Sequence, residues 1–143
     1  MTTDILHAVQ IEADPATVYR AITTQEGEAA FWTRDNETTP ETGSVARFGF
    51  PGAPVDLKMR VEALKPDHLV EWECEGDFPN WEGTSVSWTL EPKDGGTALL
   101  FRHGGWAKSY PEIEWAGVNF VWGQVVGHLK AYAETGKPAP FFP

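Results

Sequence analysis

The sequence predicts an α+β protein. A curved six-stranded antiparallel sheet wraps around one long C-terminal helix, and two short helices follow the first strand. Three observations predict this. Apolar and polar residues alternate with a period of two in six separate runs. Turn signals such as Pro66-Asp67 and Asp94-Gly95-Gly96 separate consecutive runs by a few residues, which joins neighbours antiparallel. From Trp115 onward the period changes to that of a helix.

The first run, ILHAVQIEA (5–13), sets Ile5, His7, Val9 and Ile11 on one face. Asp14-Pro15 then reads as an N-cap followed by proline at the first helical position, with Val18, Tyr19 and Ile22 on the apolar side. Gln25-Glu26-Gly27 reads as a break, EAAFW (28–32) as a second helical turn, and TRDNETTPETG (33–43) as a loop. VARFGF (45–50) puts Phe48 and Phe50 on one face. VDLKMRVEAL (55–64) turns Leu57, Met59, Val61 and Ala63 inward. LVEWECEG (69–76) turns Val70, Trp72 and Cys74 inward and Glu71, Glu73 and Glu75 outward. TSVSWTLE (84–91) contributes Val86, Trp88 and Leu90, and TALLFRH (97–103) contributes Leu99, Phe101 and His103.

Ser109-Tyr110-Pro111-Glu112 reads as a capping box with serine at the N-cap. Apolar residues then recur at 115, 118, 122, 125, 126, 129, 132 and 133, and Gly136 and Pro138 stop the helix. About 25 residues at a rise of 1.5 Å give roughly 37 Å, enough to cross a sheet. The tail PAPFFP (138–143) is expected to dock Phe141 and Phe142 on the body. This is a helix-grip arrangement, and the 143 residues suit one domain spanning 1–143.

The net charge of −10 and pI of about 4.7 argue against nucleic-acid binding and against adsorption on anionic membranes. They fit a monomer or homodimer whose copies are kept apart by charge. No apolar stretch is long enough to span a bilayer, and the N-terminus lacks a basic segment followed by an apolar one. Cys74 is the single cysteine, so no intramolecular disulfide forms. A cytoplasmic location is expected.

The segments IEADPATVYRAITTQEGEAAFWT, DLKMRVEALKPDHLVEWEC, WEGTSVSWTLEP, LLFRHGGW and YAETGKPAPF together resemble one family. It is the group similar to the activator of heat-shock protein 90 ATPase, within the START-like and birch-pollen-allergen-like (SRPBCC) superfamily. The resemblance covers nearly the whole chain in order. It implies the helix-grip fold, pairing of the first and last strands, and a use in binding lipids, sterols, polyketides or other hydrophobic molecules. Some members are cyclases or hydrolases, and the family's name carries a link to stress response. This sequence starts straight into the first strand, without the extra domain by which the full co-chaperone grips its chaperone. A chaperone partner is therefore the weaker expectation.

His7, His103 and Asn119 stand on faces that point inward. One reading makes them a polar spot in an apolar pocket, orienting a ligand with one carbonyl, hydroxyl or carboxylate. The other makes them satisfied buried groups. Cys74 with a histidine could form a nucleophile and base, or be a small buried hydrophobe. No CxxC or HxxxH spacing exists, so neither metal nor cofactor is expected. Glu71, Glu73 and Glu75 read as a solvated face, and Asp35 and Glu37 could serve as an acid or base at a cavity mouth.

The aromatic content, 13% of the chain, needs a use. Trp32, Phe48, Phe50, Trp72, Trp88, Phe101, Trp115 and Trp122, with Met59, either line a pocket or fill the core. Trp81 and Trp106 sit at strand ends, where they gate an entrance or plug it. The leading expectation is binding of a small hydrophobic ligand between sheet and helix. The alternatives are an enzyme using His103 or His7 as base, and a co-chaperone-like interaction module.

Overall fold

A computed structural model describes residues 3–143. In chain order it contains β1 (Ile5–Ile11), α1 (Pro15–Thr23), α2 (Gln25–Phe31), β2 (Asn36–Glu37), β3 (Val45–Phe48), β4 (Leu57–Lys65), β5 (Leu69–Glu75), β6 (Ser85–Lys93), β7 (Gly96–Gly104) and α3 (Glu112–Thr135). The strands form one antiparallel sheet in the order β1-β7-β6-β5-β4-β3-β2, with α3 packed against it in a helix grip. The sheet has seven strands rather than the expected six. Asn36–Glu37, inside the segment expected to be a loop, pairs with Phe48 and Arg47. Two residues are too few to show alternation, so the extra strand has no periodic signature.

The first helices begin as the sequence implies. Asp14 Oδ1 accepts the N–H of Thr17 at 2.8 Å, and Pro15 occupies the first turn. The expected break at Gln25-Glu26-Gly27 is instead the start of α2. Thr24 Oγ1 caps it, accepting the Gly27 N–H at 3.1 Å. Gly27 is needed for closeness and not as a helix breaker: a Cβ there would lie 2.1 Å from the Ala21 carbonyl oxygen of α1.

The inward alternation of β4 holds through Leu57, Met59 and Val61 and then slips. A bulge between Val61 and Ala63 sets Ala63 opposite the outward Glu71 and Leu64 opposite the buried Val70. Leu64 therefore packs on the core where Ala63 was expected. At the other end, α3 starts at Glu112, with Pro111 at the N-cap and no side-chain cap bond. The capping box is not made, because the helix begins later than it requires and Ser109 lies before the cap. Gly136, at φ 72°, ends α3 by returning its N–H to the Tyr132 carbonyl.

The core lies between the concave sheet face and α3. Phe48, Leu57, Met59, Val70, Trp72, Trp88, Leu90 and Phe101 pack there against Trp122, Val125, Val126 and Leu129. The C-terminal tail docks as expected. The N–H groups of Ala139, Phe141 and Phe142 donate to the carbonyls of Ala30, Phe31 and Trp32, at 2.9, 3.1 and 2.8 Å.

Candidate functional site

A cavity of about 500 Å³ opens at one end of the grip. α3 supplies Glu114, Gly117, Val118, Val121, Trp122 and Val125. Trp32 comes from the end of α2, and Phe50 and Ala53 from the β3–β4 connection. Phe78, Pro79 and Trp81 come from the β5–β6 connection, Tyr110 from the β7–α3 connection, and Phe142 from the tail. No strand residue lines it. The space lies between the helix and the strand-connecting loops, and not over the middle of the sheet.

Five lining rings make a closed circuit. Trp32 neighbours Phe50 (centroids 5.6 Å apart), Phe50 neighbours Phe78 (6.0 Å), and Phe78 neighbours Trp81 (5.2 Å). Trp81 neighbours Trp122 (6.1 Å), which returns to Trp32 (5.0 Å). All five separations fall in the range where aromatic pairs attract beyond simple area burial. Rigid rings that brace one another hold a cavity open, which flexible aliphatic side chains do less well.

His103 sits behind this circuit. It is fully buried and does not line the cavity. Trp122 Nε1–H donates to His103 Nδ1 at 3.1 Å. An indole nitrogen only donates, so Nδ1 is unprotonated and the proton lies on Nε2. Nε2 then donates to Thr84 Oγ1 at 2.9 Å, and the Thr84 hydroxyl donates in turn to the Trp81 carbonyl at 2.6 Å. Trp106 packs against the imidazole, tilted at 37° with centroids 4.0 Å apart, and donates its Nε1–H to the His103 carbonyl at 2.9 Å. Burial lowers the His103 pKa to about 3, so the ring is neutral at physiological pH. It joins Trp122, from α3, to the loop that carries Trp81. Gly105, at φ 86°, takes the chain out of β7 just beyond it.

The other expected anchors lie elsewhere. β1 and β7 pair, as the resemblance implies, but His7 is opposite Phe101 and His103 is opposite Ile5. The two histidines are therefore not direct cross-strand partners. His7 Nε2–H donates to the backbone carbonyl of Asn119 at 3.2 Å, so Asn119 meets His7 through its main chain. Neither residue lines the cavity. Among the candidate wall residues, Trp32, Phe50 and Trp122 line it, whereas Phe48, Met59, Trp72, Trp88 and Phe101 are sealed core. Trp115 is half-buried outside the lining, and its Nε1 is buried with no hydrogen-bond partner. Trp81 is cavity wall, and Trp106 covers His103.

Sequence reasoning missed Phe78, Tyr110 and Glu114 as wall residues. Phe78 and Trp81 share the loop GDFPNWEG, and large aromatics outside any strand pattern were the available signal. Burial, with Glu114 nearby, raises the Tyr110 hydroxyl above its usual value, while its hydrogen bond with Trp81 acts the other way.

The remaining candidates are structural. Burial, with Glu82 and Glu75 nearby, pushes the Cys74 thiol up to about 12, so it is no nucleophile at neutral pH. Asp35 and Glu37 are clamped by Arg47, at 3.0 and 2.7 Å, with Asp56 as its third partner. Arg60 gathers Glu62, Glu73 and Glu75. Among the described residues no three His, Cys, Asp or Glu side chains lie close enough together to hold a metal ion.

The family model described as "Activator of Hsp90 ATPase homolog 1-like protein" matches residues 12–134. No curated protein matches the chain. Among solved structures, the Aha1 dimer from Colwellia psychrerythraea is similar at 31% identity, covering 95% of this chain and 99% of that one with a TM-score of 0.84. Protein MLL2253 from Mesorhizobium loti is similar at 21% identity, covering 90% and 94%, with a TM-score of 0.77. DynU16, from the dynemicin biosynthetic locus, is similar at 24% identity with a TM-score of 0.79; the match covers 99% of this chain and 51% of that one. The last two likenesses concern the fold alone.

Proposed function

The chain belongs to the Activator of Hsp90 ATPase homolog 1-like family, and from that premise we propose that it binds a small, largely apolar molecule in the aromatic-walled cavity. The observation that carries this reading is the closed circuit of five rings around about 500 Å³. That volume is within the range of small-molecule pockets, and the wall has the expected make-up of many apolar groups and few polar ones. The hydrolase- or cyclase-like alternative is less supported, because it uses His103 or His7 as its base. Both lie off the wall, His103 with both ring nitrogens hydrogen-bonded and His7 with Nε2 bonded to the Asn119 carbonyl.

A thermal-shift screen with flavonoids, sterols, fatty acids and aromatic acids tests the proposal. A ligand at 100 times its dissociation constant adds about 2.7 kcal/mol of stability. We expect a dose-dependent rise for one chemical class, lost in Val121→Trp, which places a large ring inside the cavity. A screen without any response, or a response that Val121→Trp leaves intact, refutes it.

One observation also favours a second copy of this chain as partner. The outer face of α3 exposes Ile113 (83%) and Phe120 (70%), with Gln124 and Gly127 along the same uncharged stripe. The Colwellia relative is a dimer. In this acidic protein an uncharged face is where a second copy meets least repulsion. Light scattering should give twice the monomer mass for the parent chain and the monomer mass for Phe120→Glu. The chaperone-partner alternative draws on the family description and the acidic charge, and a pull-down with the chaperone decides it.

A further inference from the structure

The cavity has a charge preference as well as an apolar wall. Of its lining residues, Glu114 is the one acidic side chain, and no lysine, arginine or histidine is among them. Glu114 is exposed, in the first turn of α3, and lines the cavity, so it stands at the rim. Lys108 and Arg34, each two residues from a wall residue in sequence, are both exposed and off the wall. Trp122 spends its indole N–H on His103, which leaves it unavailable to an anion.

A carboxylate-bearing guest would therefore sit near Glu114 with no positive group on the wall to meet it. A cationic guest finds the opposite. Tryptophan faces attract cations within about 6 Å of the ring centroid, and Trp32, Trp81 and Trp122 all lie on the wall. The net charge of −10 draws cations toward the protein before contact. Resting on the ligand-binding reading above, we propose that the cavity selects a hydrophobic organic cation, an aromatic or alicyclic amine, over neutral and carboxylate molecules of the same shape.

Three probes of matched shape test this on the full chain: naphthylmethylamine, naphthylmethanol and naphthoate, titrated at pH 7 with calorimetry or tryptophan fluorescence as the readout. The amine should bind at least about fivefold tighter than the alcohol, as one desolvated cation–π contact implies, and naphthoate should bind weakest. Added salt should narrow the gap between amine and alcohol. Glu114→Gln, an exposed and fold-neutral change, should collapse the amine-to-alcohol affinity ratio toward one. If the alcohol or naphthoate binds as tightly as the amine, or if Glu114→Gln leaves the ratio unchanged, the cation preference is wrong while the cavity reading stands. If none of the three binds, the cation preference is wrong, and the wider thermal-shift screen decides the cavity reading.

Discussion

Trp122 donates its indole N–H to Nδ1 of His103 at 3.1 Å, and this contact fixes the imidazole in its Nε2–H form. The histidine is thus a joint with both nitrogens engaged. Replacing it with phenylalanine leaves the Trp122 N–H and the Thr84 hydroxyl buried with one partner fewer. Each such loss costs about 1–3 kcal/mol. We expect His103→Phe to lower stability by about 2–4 kcal/mol in urea titrations, and to weaken ligand binding by releasing Trp122.

The same residue sets the response to acid. His103 has a folded pKa of about 3 against an ordinary value of 6.5. Between those two pH values the unfolded chain takes up a proton that the folded chain refuses. Its contribution is therefore complete above pH 6.5 and is lost as pH falls toward 3, with a slope of up to about 1.4 kcal/mol per pH unit. Urea midpoints measured across that window should rise with pH in the parent chain. In His103→Phe the rise should be shallower by up to one proton's worth.

Glu28 acts in the opposite direction. Both of its carboxyl oxygens are buried without a hydrogen-bond partner, and burial holds its pKa well above the usual carboxylate range. The folded chain keeps a proton that the unfolded chain releases above pH 4.5, so stability falls as pH rises toward the folded value. Glu28→Met should add about 1–3 kcal/mol near pH 8 and flatten this alkaline decline, as followed by thermal melts.

Two glycines should answer alanine with opposite signs. At Gly27 the new methyl would meet the Ala21 backbone at 2.1 Å, and backbone cannot step aside cheaply. A loss of about 1–3 kcal/mol is expected there. At Gly127, in the middle of α3, a Cβ meets nothing within 4 Å. Alanine should stabilise that position by roughly 0.5–1 kcal/mol, because glycine is a poor helix former. Differential scanning calorimetry of the two variants compares them directly.

Cys74 should be inert while the protein is folded. It is buried, and its thiol is pushed up to about 12. Thiol reagents at pH 8 should modify it only at the unfolding rate, and promptly in denaturant. Rapid labelling of the native chain would contradict this.

Much of the fold was legible because it rests on periodicity. The alternation in LKMRV and SVSWTL, and the helical spacing from Trp115 to Ala133, both record a one-sided burial that recurs along the chain. What was illegible was local geometry with no repeat. The bulge that swaps Ala63 for Leu64 inserts one residue without marking the composition. The two-residue β2 is too short to alternate. The site was harder to read for a related reason. A sealed core and a cavity wall use the same residues, so the sequence grouped Trp72 and Trp88 with Trp32 and Trp122. Only the path of the strand-connecting loops separates them, and it is those loops that bring Phe50, Phe78 and Trp81 together. The inward alternation of His103 was visible, but its partner Trp122 is set by the pitch at which α3 crosses the sheet.

The strand order has a consequence for how the chain is made. β2 to β7 follow one another across the sheet, so each can pair with its predecessor soon after it leaves the ribosome. β1 is the exception. It is synthesised first, yet its seven paired residues, Ile5 to Ile11, find their partners only on β7, at His103 to Thr97. Until then Ile5, Val9 and Ile11 have no sheet to cover them. Closing so long a loop is the slow kind of folding step, and an unpaired apolar strand is what other nascent chains adhere to. During synthesis, the most vulnerable strand of this sheet is the first one made.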